Sequence, residues 1–153
     1  MARSPDRFSM RLRWEDLNPN ALRVTVERAR SEDLTGFGLR ANPAYQGDVT
    51  SRLLPIHGRG KAILKAREKM VVCGLPLVAF VLDVFGGGEF KAKMDDGGWA
   101  EPGQTLGTIE GPLTVILEAE RTLLNFVQRL SGIATLTRKY VEKLGDSPTR
   151  LLD

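Results

Sequence analysis

The run from Glu118 to Lys143, EAERTLLNFVQRLSGIATLTRKYVEK, constrains this chain more than any other stretch. It contains no proline and one glycine, and it is dense in Leu, Ala, Glu, Arg and Gln, all good helix formers. At 100° per residue, Ala119, Leu123, Phe126, Leu130 and Ile133 fall on one side and are predicted to pack. Glu118, Arg121, Asn125, Gln128 and Gly132 fall together on the other. A solvated helix face ordinarily alternates Lys and Glu. This one carries a single arginine, two amides and a glycine, which suits a surface that meets another element or lines a site, where each donor needs a fixed partner. An ordinary polar side is the competing reading.

The 153 residues suffice for one domain with a real core, and 42% hydrophobic composition is ordinary for a globular protein. A net charge of +3 and a pI of about 9.2 fall short of the clustered Lys/Arg stripe of a nucleic-acid binder, but suit an anionic small substrate. The single cysteine, Cys73, excludes an intramolecular disulfide and fits a reducing cytoplasm. It forms no zinc-ligand spacing with the single histidine, His57; a loop histidine and a buried thiol are expected. No apolar run approaches the roughly 20 residues of a membrane span. Residues 1–17, with Arg3, Arg7, Arg11 and Arg13 but no apolar core, read as a loose tail and not as a secretory signal.

Asn18-Pro19 marks a helix start, with Leu22, Val26 and Ala29 at helical spacing as far as Arg30 or Leu34. A Gly/Asn/Pro-rich loop spans 35–48 and ends in Gly47-Asp48-Val49-Thr50, where Asp48 and Thr50 are expected to bond nearby backbone in a turn. Lys61–Ala66 reads as a strand, followed by Val71-Val72. Leu77, Val78, Val81, Leu82 and Phe85 define an apolar helix that Gly86-Gly87-Gly88 stops. That triple glycine follows a helix, the reverse of the strand-to-helix order of a phosphate loop, so it is a terminator. Phe90–Met94 is a strand candidate, Asp95–Gly98 and Glu101–Gly103 are turns, and Thr105–Glu110 and Thr114–Leu117 read as extended, separated by Gly111-Pro112. Thr149–Asp153 reads as the beginning of another strand. Short strands, frequent turns and flanking helices predict an α+β domain around a mostly antiparallel sheet.

The segment Ala119-Glu120-Arg121-Thr122-Leu123-Leu124-Asn125-Phe126, continuing Gln128-Arg129-Leu130-Ser131-Gly132-Ile133-Ala134-Thr135, resembles the helix of the quinolinate phosphoribosyltransferases, also called carboxylating nicotinate-nucleotide pyrophosphorylases. Glu32-Asp33-Leu34 with Gly47–Thr50, and the Gly74–Phe85 helix, resemble the family as well, although the insert between the first two is long. The resemblance covers roughly Arg28 to Asp153. It implies a hammerhead-like first domain over 18–131, and over 132–153 the start of an α/β barrel whose remainder is expected to be missing.

The implied reaction joins quinolinate to the ribose of phosphoribosyl pyrophosphate and releases pyrophosphate and carbon dioxide, giving nicotinate mononucleotide for NAD biosynthesis. The resemblance also implies Mg2+ on the pyrophosphate, held outside this chain, and a homodimer in which Arg121 reaches the partner's barrel and binds substrate. A planar guanidinium grips a carboxylate by two parallel hydrogen bonds in a way that lysine does not. Arg121 is the one substrate-binding residue expected here; no catalytic residue or metal ligand is expected, and the 153 residues alone should be inactive. The competing role for Arg121 is a surface ion pair with Glu118 or Glu120. Two other readings stand beside the main one: a homologue associated with molybdenum transport, and a stand-alone interaction domain. A biotinyl or lipoyl carrier, which Gly103–Glu110 and Lys93-Met94 resemble in rhythm, has its lysine hairpin after the Ile-Glu segment, where this chain has Gly111-Pro112.

Overall fold

Asn18 caps the first helix as its position predicts. Its Oδ1 accepts from the N–H groups of Asn20 (2.9 Å) and Ala21 (3.3 Å), and Pro19 opens helix α1, Pro19–Thr35. Gly36, with φ 70°, ends it in the left-handed conformation that favours glycine. The computed structural model describes residues 13–41, 47 and 57–149. The expected N-terminal tail up to residue 12, the Asp48 and Thr50 turn, and the strand beginning at 149 lie outside the described residues, apart from Thr149 itself.

Three strands form an antiparallel sheet in the order β1 (Arg59–Lys65), β5 (Thr105–Pro112), β3 (Glu89–Ala92). In the central strand Leu106 and Ile109 point into the core, while Thr108 and Glu110 are partly exposed. Gly107 lies under the Phe90 ring, where a Cβ would collide with it. On the outer face Lys61 stands opposite Glu110 and pairs with it at 3.0 Å. That contact, with the charges of Lys61 and Lys91, holds the Glu110 carboxyl below its usual range. A second, two-stranded ribbon joins β2 (Met70–Val71) to β4 (Trp99–Ala100).

Helix α2, Leu75–Phe85, buries Leu75, Leu77, Val78, Val81, Leu82, Val84 and Phe85, and so forms the centre of the core. Its N-terminus is capped from a distance. Gly74, at φ 99°, supplies no side chain. The Asp96 carboxylate instead accepts from Gly74 N–H (2.7 Å) and Leu75 N–H (3.0 Å). An anion there also meets the positive end of the helix. Asp96→Ala is expected to cost about 1–3 kcal/mol, the range for losing a cap and leaving its donors unmatched. Asp96→Asn should cost less, and Asp95→Ala in the same turn close to nothing. Denaturant titration of the three variants checks this, and equal losses for Asp95→Ala and Asp96→Ala would remove the capping role.

Helix α3 runs from Leu113 to Leu144 without a break, passing through the expected 131/132 domain boundary. It starts earlier than the sequence indicates: Thr114–Leu117 is not extended but forms the first turn, with Val115 buried. The packed line is also rotated from the predicted one. Val115, Ala119, Thr122, Leu123, Val127 and Ser131 are buried. Phe126 and Leu130 are half-buried against the core, and Ile133 is 59% exposed. Hydroxyls account for the polar part of this line. Ser131 Oγ accepts from Cys73 N–H (3.0 Å) and donates to Cys73 C=O (3.2 Å), while Thr135 Oγ1 accepts from Val71 N–H (2.8 Å). These bonds satisfy backbone groups at and just after β2 that no strand pairs from the α3 side.

Candidate functional site

The polar face of α3 opens onto a cleft against the C-terminal turn of α1. Arg121, Asn125 and Arg129, four residues apart, form one wall; Ala29, Glu32 and Asp33 of α1 form the other, and Thr122 and Phe126 the floor. The cleft is open to solvent and holds about 470 Å³. Gln128 lies beside it in a shallower recess with Leu117, Glu120 and Leu124. The side chains expected to share a face, Arg121, Asn125 and Gln128, do so, and all are exposed. Gly132 continues the line; a Cβ there would meet nothing within 4 Å, so packing within the described residues does not call for glycine.

Arg121 pairs across the cleft. Its Nη1 lies 3.1 Å from Asp33 Oδ1, and Glu118 and Glu120, the local partners of the competing reading, are not within ion-pairing distance of it. The Arg121 side chain is 77% exposed and that of Asp33 only 18%. Glu32 pairs instead with Arg28 at 3.5 Å, one helical turn back. Among the described residues Arg129 has no ion-pair partner, so the cleft keeps one uncompensated cation beside the engaged one. Arg129 was given no role from the sequence, and Asp33 was quoted only as part of Glu32-Asp33-Leu34, without a role of its own. Arg129 sits inside the quoted helix motif, and the spacing 121, 125, 129 is the signal that could have placed it on the Arg121 side.

Among the described residues no group of three or more His, Cys, Asp or Glu side chains stands close enough to hold a metal ion. With Asp33 and Glu32 each facing an arginine, the cleft does not fit magnesium. His57 is exposed just before β1. Cys73 is half-buried, not fully buried as expected; burial, and then the Asp96 carboxylate, push its thiol up, so it stays protonated at neutral pH. No helix among the described residues is long and apolar enough to cross a membrane.

Residues 48–131 match the family described as quinolinate phosphoribosyl transferase, N-terminal domain. A probable nicotinate-nucleotide pyrophosphorylase (carboxylating) of Synechocystis is 37% identical over 109 residues, covering 71% of this chain and 37% of that protein. The nicotinate-nucleotide pyrophosphorylase (carboxylating) of Mycobacterium leprae is 32% identical over 142 residues, covering 90% of this chain and 47% of its own. The crystal structure of NadC from Streptococcus pyogenes superposes with a TM-score of 0.73 at 32% identity, covering 86% of this chain and 45% of that one. The nicotinate-nucleotide pyrophosphorylase of Francisella tularensis superposes at 0.76 with 28% identity, over 90% of this chain and 46% of that one. The chain spans less than half the length of each of these relatives. With the α+β fold matched and more than half of its residues within the family's N-terminal domain, the chain belongs to the quinolinate phosphoribosyltransferase family.

Proposed function

We propose that this chain is the substrate-gripping and dimerising part of a quinolinate phosphoribosyltransferase, with residues 18–131 as its first domain and 132–153 leading into a barrel. The whole enzyme would join quinolinate to phosphoribosyl pyrophosphate in the cytoplasm, release pyrophosphate and carbon dioxide, and form nicotinate mononucleotide. The observation that carries this reading is Arg121, 77% exposed in an open cleft, with its Nη1 3.1 Å from Asp33 Oδ1. A guanidinium so presented matches a ring carboxylate, and charge-assisted bonds of that kind are about twice as strong as neutral ones.

The exposed Asn125, Gln128 and Gly132 extend the same face, and their small or amide side chains leave room for a second subunit's backbone and polar groups. On this reading Arg121 acts in the site of the partner subunit. Magnesium, balancing the pyrophosphate, would be held by groups outside this chain, in keeping with a cleft that does not fit it.

Fusing the chain to the second domain of a relative, such as that of Mycobacterium leprae, tests the proposal. The fusion is expected to make nicotinate mononucleotide from quinolinate and phosphoribosyl pyrophosphate, and the 153 residues alone to make none. A fusion that folds and dimerises but turns over no quinolinate overturns the reading, and so does turnover that copurifies with the short chain.

A further inference from the structure

Strand β1 is an edge of the three-stranded sheet. Leu113 N–H donates to Gly58 C=O (3.0 Å), and pairing with β5 alternates from there, so Gly60, Ala62 and Leu64 bond inward. The backbone groups of Lys61 and Ile63 therefore point away from β5, and among the described residues no strand pairs with that side. Such an edge is a ready template for another strand unless it is guarded or covered.

Alongside it an apolar cleft of about 250 Å³ opens between the sheet and α3. Ala62 and Leu64 line it from β1, Ile116, Leu123 and Leu124 from α3, and Leu82 from α2. Its one charged lining residue, Glu120, is exposed. A strand laid against β1 turns alternate side chains into this cleft and the others to the outer face of the sheet. On that face β1 presents Arg59, Lys61, Ile63 and Lys65, all exposed. Lys61 already shares Glu110, whereas Arg59 and Lys65 have no ion-pair partner among the described residues. The cations alone would guard a bare edge; the cleft beside them is what calls for an occupant. A second copy of β1 is the wrong one. Paired antiparallel about Ile63, it sets Lys61 of one copy against Lys65 of the other, like charges face to face.

We propose that the β1 edge is completed by an extended segment from the second half of the enzyme, with apolar residues turned into the cleft and acidic ones opposite Arg59 and Lys65. Main-chain bonds to Lys61 and Ile63 hold the segment, and the cleft selects its side chains. The chain spans less than half of each relative, which leaves ample length to supply the strand. That source rests on the functional reading above; the open edge and its cleft do not.

Amide exchange, followed residue by residue, tests this on the 153-residue chain and on its fusion to the second domain of the Mycobacterium leprae relative. In the chain alone, the Lys61 and Ile63 amides should exchange freely while those of Ala62 and Leu64 are protected. In the fusion, Lys61 and Ile63 should slow by at least about tenfold. Ile63→Pro removes only an outward N–H, which an edge strand tolerates. It should leave the protected amides of the chain as they were and cancel the added protection of Lys61 in the fusion. Where the fusion does not fold, a heptapeptide alternating valine and aspartate is added to the chain instead. It should protect the same two amides, and its valine–lysine counterpart should not. If Lys61 and Ile63 exchange as fast in a folded fusion as in the chain, or if the two peptides act alike, the proposal fails. Protection already present in the chain alone also overturns it: another part of the chain covers the edge, or a second copy does where protection grows with protein concentration. A fusion that protects both amides but turns over no quinolinate leaves the completed edge standing and overturns the functional reading instead.

Discussion

Leu123→Ala is expected to destabilise the chain by about 2–5 kcal/mol, the range for emptying a buried leucine position, and Ile133→Ala to leave its stability nearly unchanged. Both residues belong to the stripe that helical spacing groups together. Leu123 is 3% exposed in the core and Ile133 is 59% exposed. Phe126→Ala should fall between them, since its ring is half-buried and loses only part of the contact of an enclosed aromatic. Against a total stability of about 5–15 kcal/mol, the Leu123 loss is a large fraction. Urea titration should show the midpoint falling for Leu123→Ala with an unchanged slope, the signature of lost stability without a change in the unfolded state. A shift for Ile133→Ala equal to that for Leu123→Ala would mean that the far end of α3 is packed in solution.

The rotation of that stripe shows what spacing conveys and what it leaves out. A period of 3.6 specifies which residues share a side, but not which neighbour each one meets or where the neighbour ends. Ala119 and Leu123 face the core as expected, and the buried line then follows Val127 to Ser131, where the helix meets the backbone beside β2. Beyond Thr135 no core element among the described residues covers it, and Leu136 and Tyr140 are exposed like Ile133. Local signals were legible: the Asn18-Pro19 start, the apolar face of α2, and the extended run from Thr105 to Glu110 all act within a few residues of themselves. Thr114–Leu117 misled because β-branched Thr, Val and Ile favour strands, and only the packing of Val115 and the long helix behind it decide for α3. The cap on α2 comes from Asp96, across a ribbon, and the partner of Arg121 is Asp33 of α1. Neither pairing leaves a trace in sequence spacing, because it exists only once the chain has folded back. The same holds for the site: the arginine could be named from its motif, its cleft could not.

In a complete dimeric enzyme, Arg121→Ala should cost about 2–5 kcal/mol of transition-state binding, the penalty for truncating one partner of a desolvated charge pair. The loss should appear in quinolinate KM and in kcat/KM, with little change in fold or in affinity for phosphoribosyl pyrophosphate. Stability should hardly move, because the Arg121 side chain is 77% exposed and its ion pair with Asp33 is partly in water. Whether the arginine serves its own subunit or the neighbour's is decided by mixing. Arg121→Ala subunits are combined with subunits that keep Arg121 but carry a disabled barrel. If Arg121 reaches across the interface, each heterodimer has one site with both an intact barrel and an arginine, and activity returns to a fraction of wild type. If heterodimers form and stay as inactive as either parent, Arg121 does not act in trans. Full activity of Arg121→Ala alone would reduce it to the surface partner of Asp33, and the carboxylate grip would have to come from elsewhere in the enzyme.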